Sequence, residues 1–401
     1  MKRRTLLKAA LGLPATLTVL ERAVAQHAGK VKITGFQIRP VSRLAHTYIK
    51  LETDAGLTGY GESGVSGPMM HAWRERYKPV LMGKDPLAIE ALHMRMATQI
   101  HPYMANIPAL SGVDMALWDL AGKITGRPVY SLLGGPFRER VPVFVNSAPR
   151  DMLDKSVVNE WAAKFKASPM GFTQVKMNTT APIGKPSGVY STALDARDFA
   201  KIRTAFENVR AALGPNYDIM AHCHNEYDLP SAVGVAKAVE GIQPKWLEDP
   251  LPVEFSESWV SLRQQARVPL LTGEKLEMPK GFWPFLQHQV LDFVYPDLAF
   301  CGGITGARKI GTLASLYRVP LATHNVGGVL LTMASAHLGH AHFDFLTSET
   351  RLGSDNVLDM ATNAPPVKEG YITAPDRPGL GVELGEEGLR KFQREDDGGW
   401  V

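Results

Sequence analysis

Cysteine is the scarcest feature of this chain, because only two of its 401 residues, Cys223 and Cys301, are cysteines. Two cysteines do not make a disulfide framework or a zinc ribbon. Both fall near the ends of predicted strands, so we expect each to be a buried apolar side chain. The chemistry of this protein must therefore be sought in other residue types.

Net charge and long apolar runs are also lacking. The formal net charge is only +4, and no basic run interleaved with aromatic residues follows the first few positions. This pattern excludes nucleic acid as the expected partner. The one apolar stretch near the N-terminus is interrupted by Pro14 and Glu21, which makes it too short to cross a membrane. We expect no membrane span and no nucleic-acid partner.

The N-terminus has the pattern of an export signal. A basic head that contains Arg3-Arg4 precedes a moderately apolar stretch, which ends in Ala23-Val24-Ala25-Gln26. The arginine pair followed by Leu6-Leu7-Lys8 indicates the twin-arginine route. A basic amphipathic N-terminal helix is the alternative. We predict a signal peptide over residues 1–26 and a periplasmic location for the mature protein.

The remaining chain has room for two domains and an ordinary composition, with 45% hydrophobic and 21% charged residues. Strand-like segments, including a hairpin around Asp54-Ala55-Gly56, precede helical patterns and predict an α+β domain over residues 30–140. Residues 141–353 alternate between strand and helix patterns. The turn-rich tail, residues 354–401, is expected to pack back on the first domain.

Eight strands are predicted in the alternating region. They end near Asn146, Asn178, His224, Asp249, Glu274, Asp297, Asn325 and Glu349. Alternating strands and helices imply a parallel sheet, and eight units suggest closure into a barrel. The predicted fold class is α/β, a (β/α)8 barrel with an α+β domain built from the N-terminal region and the tail. The active site of such a barrel lies where the strands end.

Three of these strand ends predict a divalent-metal site. His222, Glu248 and Glu274 follow short apolar runs and are separated by 26 residues each, about one strand-plus-helix unit. Rim salt bridges are the alternative explanation for the glutamates. Carboxylate ligands favour Mg²⁺, whereas the imidazole of His222 suits Mn²⁺, Fe²⁺ or Zn²⁺ better.

Five further residues are candidates for catalysis. His324 and Asp297 end neighbouring strands, so the carboxylate could orient the imidazole as a general base. His224 lies two residues after His222, on the same face of the strand, and could be a general acid or base, a second ligand or a core imidazole. Lys176 could bind a substrate carboxylate or form a rim salt bridge. Glu349 could hydrogen-bond the substrate as an acid.

Taken together, these segments resemble the enolase superfamily, and within it the mandelate racemase subgroup. The resemblance extends over residues 30–385. The matching segments are Thr53-Asp54-Ala55-Gly56-Leu57-Thr58-Gly59-Tyr60-Gly61-Glu62, the helix from Ser111 to Lys123, Arg127 to Gly135, Glu248-Asp249-Pro250, Gly273-Glu274, Asp297, Gly302-Gly303-Ile304-Thr305, His324-Asn325 and Pro378-Gly379-Leu380-Gly381. This resemblance implies a capping domain over a modified barrel. It also implies Mg²⁺-assisted removal of a proton α to a carboxylate.

The resemblance assigns roles to five of the candidates. Glu248 and Glu274 match the second and third metal ligands of the family. Asp297 and His324 match the Asp-His dyad of the subgroup, and Glu349 matches its electrophilic glutamate.

Three positions depart from the mandelate racemase pattern. His222 stands where the first metal ligand is usually an acid, and the Lys-x-Lys motif of the second strand is reduced to Lys176 followed by Asn178. The missing second lysine argues against simple racemisation. His224 falls where acid sugar dehydratases such as D-galactonate dehydratase have a histidine.

The predicted function is therefore a metal-dependent hydro-lyase that acts on a sugar acid or a similar α-hydroxy carboxylate. His324 would take the α-proton and His224 would protonate the departing β-hydroxyl, although the two roles could be exchanged. An epimerase, racemase or cycloisomerase that uses the same enediolate is one alternative. A binding protein whose metal site has decayed is another. The resemblance also implies a homo-oligomer.

Overall fold

The computed structural model describes residues 30–98, 105–185, 193–352 and 356–401. The predicted signal peptide, residues 1–26, lies outside these ranges. Within them, no helix combines the length and the apolar character that a membrane span requires.

The first part of the chain forms a three-stranded antiparallel sheet followed by helices. Its elements are β1 (Ile33–Val41), β2 (His46–Thr53), β3 (Thr58–Ser63), α1 (Gly67–Leu81), α2 (Ile89–Ala97), α3 (Ile107–Thr125) and the short α4 (Val129–Leu132). The strands pair in the order β1-β2-β3, and Gly56, with φ of 73°, lies in the turn between β2 and β3. The predicted hairpin and the α+β character of this region are confirmed.

Helix α3 is defined at both ends by its sequence. The Asn106 side chain accepts a hydrogen bond from the Ala109 N–H at 2.8 Å, and Pro108 lies in the first turn, where its missing N–H costs nothing. Gly126 ends the helix in the left-handed conformation, with φ of 69°. Every residue from Ile107 to Gly122 except Pro108 is buried, which is typical of a helix enclosed by its own domain.

Two glycines of β3 allow this helix to pack directly on the sheet. A Cβ atom added at Gly59 would lie 2.3 Å from the Ala116 carbonyl oxygen, and one added at Gly61 would lie 2.0 Å from the Gly112 carbonyl oxygen. Both distances are far below van der Waals contact, so only glycine permits this approach. The glycines of the Gly59-Tyr60-Gly61 motif therefore have a packing role.

The second part of the chain is a closed parallel barrel. Its strands are β4 (Val141–Asn146), β5 (Gln174–Asn178), β6 (Asp218–His222), β7 (Trp246–Glu248), β8 (Leu270–Thr272), β9 (Phe293–Val294), β10 (Leu321–Thr323) and β11 (Phe345–Thr350). Each strand pairs with the next, and β11 pairs with β4 to close the barrel. The eight-stranded barrel predicted from the alternating pattern is confirmed.

Helices cover the outside of the barrel after each of the first seven strands. They are α5 (Lys155–Lys166), α6 (Ala196–Leu213), α7 (Leu229–Val239), α8 (Glu257–Gln265), α9 (Met278–Gln287), α10 (Gly303–Leu316) and α11 (Val329–Ala341). The described residues that follow β11 form a 3₁₀ turn, Val357–Met360, instead of an eighth α-helix of the barrel.

The interior of the barrel contains a packed layer of side chains below its open end. Six fully buried residues form it: Phe144, Met220, Trp246, Leu271, Tyr295 and Ala322. Side chains two positions apart on a strand point to the same side. The side chains two positions after Met220, Trp246 and Ala322 therefore point to the same side, nearer the open end of the barrel. They are His222, Glu248 and His324.

The C-terminal segment returns to the antiparallel sheet. It contains β12 (Tyr371–Ile372), which pairs with β4, and α12 (Glu386–Lys391). The buried Arg39 of β1 pairs with Glu386 at 2.6 Å, and Val401 exchanges two backbone hydrogen bonds with Ile38. The end of the chain thus extends the contacts of the first sheet.

Glu62 of β3 joins the capping sheet to the barrel. One carboxylate oxygen accepts a hydrogen bond from the Gly328 N–H at 2.6 Å, and the other accepts one from the Leu331 N–H at 3.0 Å. A carboxylate at the N-terminus of α11 satisfies donors that have no partner within the helix and is favoured by the helix dipole. His46 contacts the same carboxylate at 2.8 Å. The cap is therefore attached four residues after His324.

We expect Gly61→Ala to lower the free energy of unfolding by about 1–3 kcal/mol, because the added methyl group would push α3 away from β3. Urea denaturation followed by circular dichroism measures this change. Gly241→Ala is the matched control, since a Cβ atom there meets no atom within 4 Å. Equal stability of the two variants would contradict the close approach of β3 and α3.

Candidate active site

A cavity of about 710 Å³ opens where the barrel strands end. Six of the eight predicted site residues line it: Lys176, His222, His224, Glu274, His324 and Glu349. The other two, Glu248 and Asp297, are fully buried and lie against these residues. The size of the cavity suits a small molecule, and its polar residues come from six of the eight strands or the turns that follow them.

The three predicted metal ligands approach one another at the edge of this cavity. The Nε2 atom of His222 lies 3.5 Å from Glu248 Oε1 and 3.8 Å from Glu274 Oε2. His222 Nε2 and Glu274 Oε2 are both buried and have no hydrogen-bond partner in the part of the chain that the structure describes. Buried polar atoms without partners are costly. A cation between them would remove this cost, so the residues present fit a divalent metal ion.

Glu248 is bound by the protein on both of its oxygens. Oε1 accepts a hydrogen bond from the Lys176 ammonium at 2.9 Å, and Oε2 accepts one from the Trp246 indole N–H at 2.9 Å. Burial raises the pKa of Glu248 to about 8, although Lys176 acts in the opposite direction. A further positive charge at this carboxylate would favour its ionised form.

Lys176 lies between two carboxylates. Its side chain is 1% exposed, and its ammonium is 2.9 Å from Glu248 Oε1 and 2.9 Å from Glu349 Oε2. Burial disfavours the charged ammonium, but the two glutamates outweigh this effect and raise the pKa of Lys176. From the sequence, we expected this ammonium to bind a substrate carboxylate or to form a rim salt bridge. In the structure, two protein carboxylates accept hydrogen bonds from it.

His324 and Asp297 form a hydrogen-bonded pair. His324 Nδ1 lies 2.6 Å from Asp297 Oδ2, while Asp297 Oδ1 accepts a hydrogen bond from the Ala299 N–H at 2.6 Å. A carboxylate partner places the proton on Nδ1, so Nε2 is the basic nitrogen. It lies 3.4 Å from Glu274 Oε2.

The charges around His324 favour its protonated form. Burial disfavours the imidazolium, but the carboxylates of Glu274 and Glu349 outweigh it and raise the pKa of His324 to about 9. A divalent cation beside Glu274 would offset these charges and leave Nε2 free to accept a proton.

His224 reaches the cavity by a different route from the predicted one. The strand was expected to extend to His224, but β6 ends at His222, and His224 lies in a turn with φ of 58°. Alternation along a strand is therefore the wrong explanation for its position. Its Nδ1 lies 3.3 Å from Glu226 Oε1, its Nε2 lies 3.7 Å from Glu274 Oε1, and its side chain is 34% exposed.

Tyr295 is a site residue that the sequence analysis missed. Its hydroxyl donates a hydrogen bond to Glu349 Oε2 at 2.5 Å, and its ring stands edge-on to the His324 ring at 5.5 Å. A tyrosine in an apolar strand gives the pattern of a packing residue, which is why it was overlooked. Its position two residues before Asp297 is the signal that could have placed it on the inner side of the barrel.

Lys275 is a second missed residue. Its ammonium lies 2.5 Å from Glu274 Oε1 and 2.7 Å from Asn225 Oδ1, and its side chain lines the cavity. Lys275 directly follows the Gly273-Glu274 motif, and its own sequence pattern does not distinguish it from a surface lysine. Together with His324 and His222, Lys275 holds the pKa of Glu274 well below its ordinary value, although burial acts in the opposite direction.

Two known protein families match parts of this chain. Residues 19–134 match the family described as mandelate racemase / muconate lactonizing enzyme, N-terminal domain. Residues 159–388 match the family described as enolase C-terminal domain-like, which covers more than half of the chain.

Individual relatives agree with these matches. The chain is 31% identical to the D-xylonate dehydratase of Haloferax volcanii over 84% of this chain and 82% of the relative. It is 30% identical to the D-galactonate dehydratase of Ralstonia nicotianae, over 84% and 88% of the two chains. A mandelate racemase/muconate lactonizing enzyme from Jannaschia sp. has a similar structure, with a TM-score of 0.82 at 26% identity over 90% of this chain and 98% of that chain.

We expect Tyr295→Phe to lower the free energy of unfolding by about 1.5–3 kcal/mol, because its hydroxyl donates to a charged acceptor. Tyr227→Phe is the matched control. Tyr227 is also buried, and its hydroxyl is 2.9 Å from the neutral hydroxyl of Thr179, so we expect a cost of about 0.5–1.5 kcal/mol there. Chemical denaturation of both variants measures the difference. A larger cost at Tyr227 would contradict a stronger hydrogen bond at Tyr295.

Proposed function

This chain belongs to the enolase superfamily, within its mandelate racemase/muconate lactonizing enzyme family, and we propose that it is a metal-dependent hydro-lyase for a sugar acid. The family membership confirms the resemblance found in the sequence. The relatives named above are dehydratases, so at the level of the family the chain is an enzyme of the lyase class. The exact reaction and the role of each residue are our proposal.

One observation supports this proposal above the others. The basic nitrogen of His324 faces the same cavity as a group of carboxylates and imidazoles that fits a divalent cation. Abstraction of a proton next to a carboxylate requires both parts, because the base removes the proton and a positive charge stabilises the resulting enediolate.

We propose that His324 Nε2 removes the α-proton of the substrate. Asp297 keeps the Nδ1–H in place throughout, so it holds the imidazole in one orientation and stabilises the imidazolium that forms. Glu349 Oε2 lies 3.7 Å from Nε2, and we propose that Glu349 and Lys176 serve the carboxylate end of the substrate. Lys176 acts there through Glu248 and Glu349, whose charges it balances.

The metal site of this proposal consists of His222, Glu248 and Glu274. A bound divalent cation would supply Lewis-acid stabilisation to the substrate carboxylate as negative charge develops on it. Mg²⁺ is the ion expected from the family, and Mn²⁺, Fe²⁺ or Zn²⁺ are the ions that an imidazole ligand favours.

Loss of the β-hydroxyl completes the elimination. The carbon–hydrogen bond at the α-carbon and the carbon–oxygen bond at the β-carbon break, water leaves, and the enol product rearranges to a 2-keto acid. Two histidines could supply the proton for the departing hydroxyl. One is His224, the predicted donor, which lines the cavity. The other is His324, which carries the proton that it has taken from the α-carbon. A single histidine in both roles requires the two groups to lie on one face of the substrate.

A screen of aldonates and aldarates tests the proposed reaction. We expect metal-dependent formation of a 2-keto-3-deoxy acid from at least one of them, detected with semicarbazide and by NMR in heavy water. A product that keeps the formula of its substrate but gains deuterium at the α-carbon would indicate an epimerase or racemase instead. If no acid sugar gives turnover or exchange of its α-proton, that result would favour a binding protein.

We expect His324→Asn to abolish exchange of the α-proton with solvent, because the amide side chain cannot act as the base. Proton NMR of the substrate in heavy water measures this exchange. His288→Asn is the matched control, since His288 is exposed on the outside of the barrel at the end of α9. Exchange at the rate of the unchanged protein in His324→Asn would contradict the assignment of the base.

Export to the periplasm is a proposal from the sequence of residues 1–26 alone. We expect the full-length chain to fractionate with the periplasm, and the variant with Arg3→Lys and Arg4→Lys to stay in the cytoplasm, because the twin-arginine route depends on that pair. Cell fractionation followed by immunoblotting measures this. Equal export of both forms would contradict the twin-arginine route.

Self-association into a homo-oligomer, which analytical ultracentrifugation can measure, likewise stays a proposal.

A further inference from the structure

The imidazoles of His222 and His224 are held in the same way at one nitrogen. His222 Nδ1 lies 3.2 Å from the Asn178 side-chain oxygen, and His224 Nδ1 lies 3.3 Å from Glu226 Oε1. Amide and carboxylate oxygens accept hydrogen bonds, so each Nδ1 must carry the proton. In a neutral imidazole, the other nitrogen then has a free lone pair. Both Nε2 atoms are therefore hydrogen-bond acceptors or metal ligands.

These two lone pairs converge on one carboxylate. His222 Nε2 lies 3.8 Å from Glu274 Oε2, and His224 Nε2 lies 3.7 Å from Glu274 Oε1. The two rings are 5.2 Å apart and nearly perpendicular. One ligand atom from each of the three residues lies within 4.8 Å of the other two. The Lys275 ammonium already compensates Glu274 Oε1 at 2.5 Å, whereas His222 Nε2 and Glu274 Oε2 are buried and have no hydrogen-bond partner among the described residues. A cation between the three residues would remove the repulsion that remains between their electron pairs.

We infer that His224 is a metal ligand through Nε2 and that the cation is bound by His222, His224 and Glu274, with Glu248 beside them. This inference rests on the metal site of the proposed function and adds a nitrogen ligand to it. Asn178 and Glu226 hold the two imidazoles in the required tautomer. Ligating histidines commonly have such a partner on the other ring nitrogen.

Coordination through Nε2 excludes the other role for His224, because a lone pair bound to a cation cannot also carry a proton. To donate a proton from Nε2, a neutral His224 would need its lone pair on Nδ1, where it would face the Glu226 carboxylate. Only the doubly protonated ring could donate at Nε2 and keep the contact with Glu226. With His224 on the metal, His324 is the donor to the departing hydroxyl.

The second imidazole also changes the expected ion. Mg²⁺ prefers oxygen ligands in octahedral geometry. Two imidazoles among the ligands are typical of Fe²⁺ and its neighbours in the first transition row. We therefore expect this protein to bind Mn²⁺, Fe²⁺ or Zn²⁺ in preference to Mg²⁺.

The test measures metal binding without turnover. Full-length protein is stripped with a chelator and titrated with Zn²⁺ and with Mg²⁺ by calorimetry, and the Mn²⁺-loaded protein is examined by electron spin echo spectroscopy, which detects coordinated imidazole nitrogens. We expect one ion per chain, tighter binding of Zn²⁺ than of Mg²⁺, and nitrogen signals from two imidazoles.

The variant His224→Asn removes the ligand with little strain on the backbone, because asparagine tolerates the left-handed conformation of this turn. We expect the loss of one nitrogen signal and a decrease in Zn²⁺ affinity of at least about 10-fold, since even partners of metal ligands contribute that much. His71→Asn, at an exposed histidine of α1, is the matched control and should bind Zn²⁺ as the unchanged protein does. Circular dichroism verifies that both variants are folded.

The possible failures are distinguishable. Stoichiometric metal with the signal of one imidazole, or Zn²⁺ affinity unchanged by His224→Asn, would overturn the role of His224 and leave the proposed dehydratase intact. Tighter binding of Mg²⁺ than of Zn²⁺ would overturn the preference for transition metals. Absence of stoichiometric metal in the unchanged protein would overturn both this inference and the metal-dependent function.

Discussion

The balance of buried charge at the open end of the barrel is the constraint on which the rest of the site depends. Five carboxylates are buried there: Glu248, Asp249, Glu274, Asp297 and Glu349. Among the described residues, the lysines bonded to this group are Lys176 and Lys275. Two ammonium groups cannot neutralise five carboxylates, and a buried charge without compensation is costly. The excess of negative charge explains the raised pKa of His324 and the fit of a divalent cation.

The barrel supplies this arrangement because its strands alternate. Met220, Trp246 and Ala322 close the interior, and the residues two positions later reach the opening. The cap contributes from the other side, since Glu62 bonds the first turn of the helix that follows His324. The base is thus positioned by its own strand, by Asp297 and by an attachment to another domain. Catalytic groups placed on rigid elements keep their geometry better than groups on loops.

The sequence predicted the barrel and the convergence of its strand ends, because a repeated spacing in parallel strands has a direct geometric meaning. The pair of His324 and Asp297 followed from the same logic. The turn at His224 did not, since a non-glycine residue with positive φ leaves no pattern in a single sequence. Tyr295 and the partners of Lys176 were also missed or misjudged, because the depth of a side chain depends on packing across several strands. Pattern predicts which residues share an opening, whereas burial decides what each of them contacts.

The packed aromatic layer determines how substrate reaches the site and how product leaves it. Phe144, Trp246 and Tyr295 fill the barrel interior below the site, so substrate enters and product departs by the same opening. Product that stays bound at this opening therefore blocks the next substrate, and competitive product inhibition is the expected kinetic pattern.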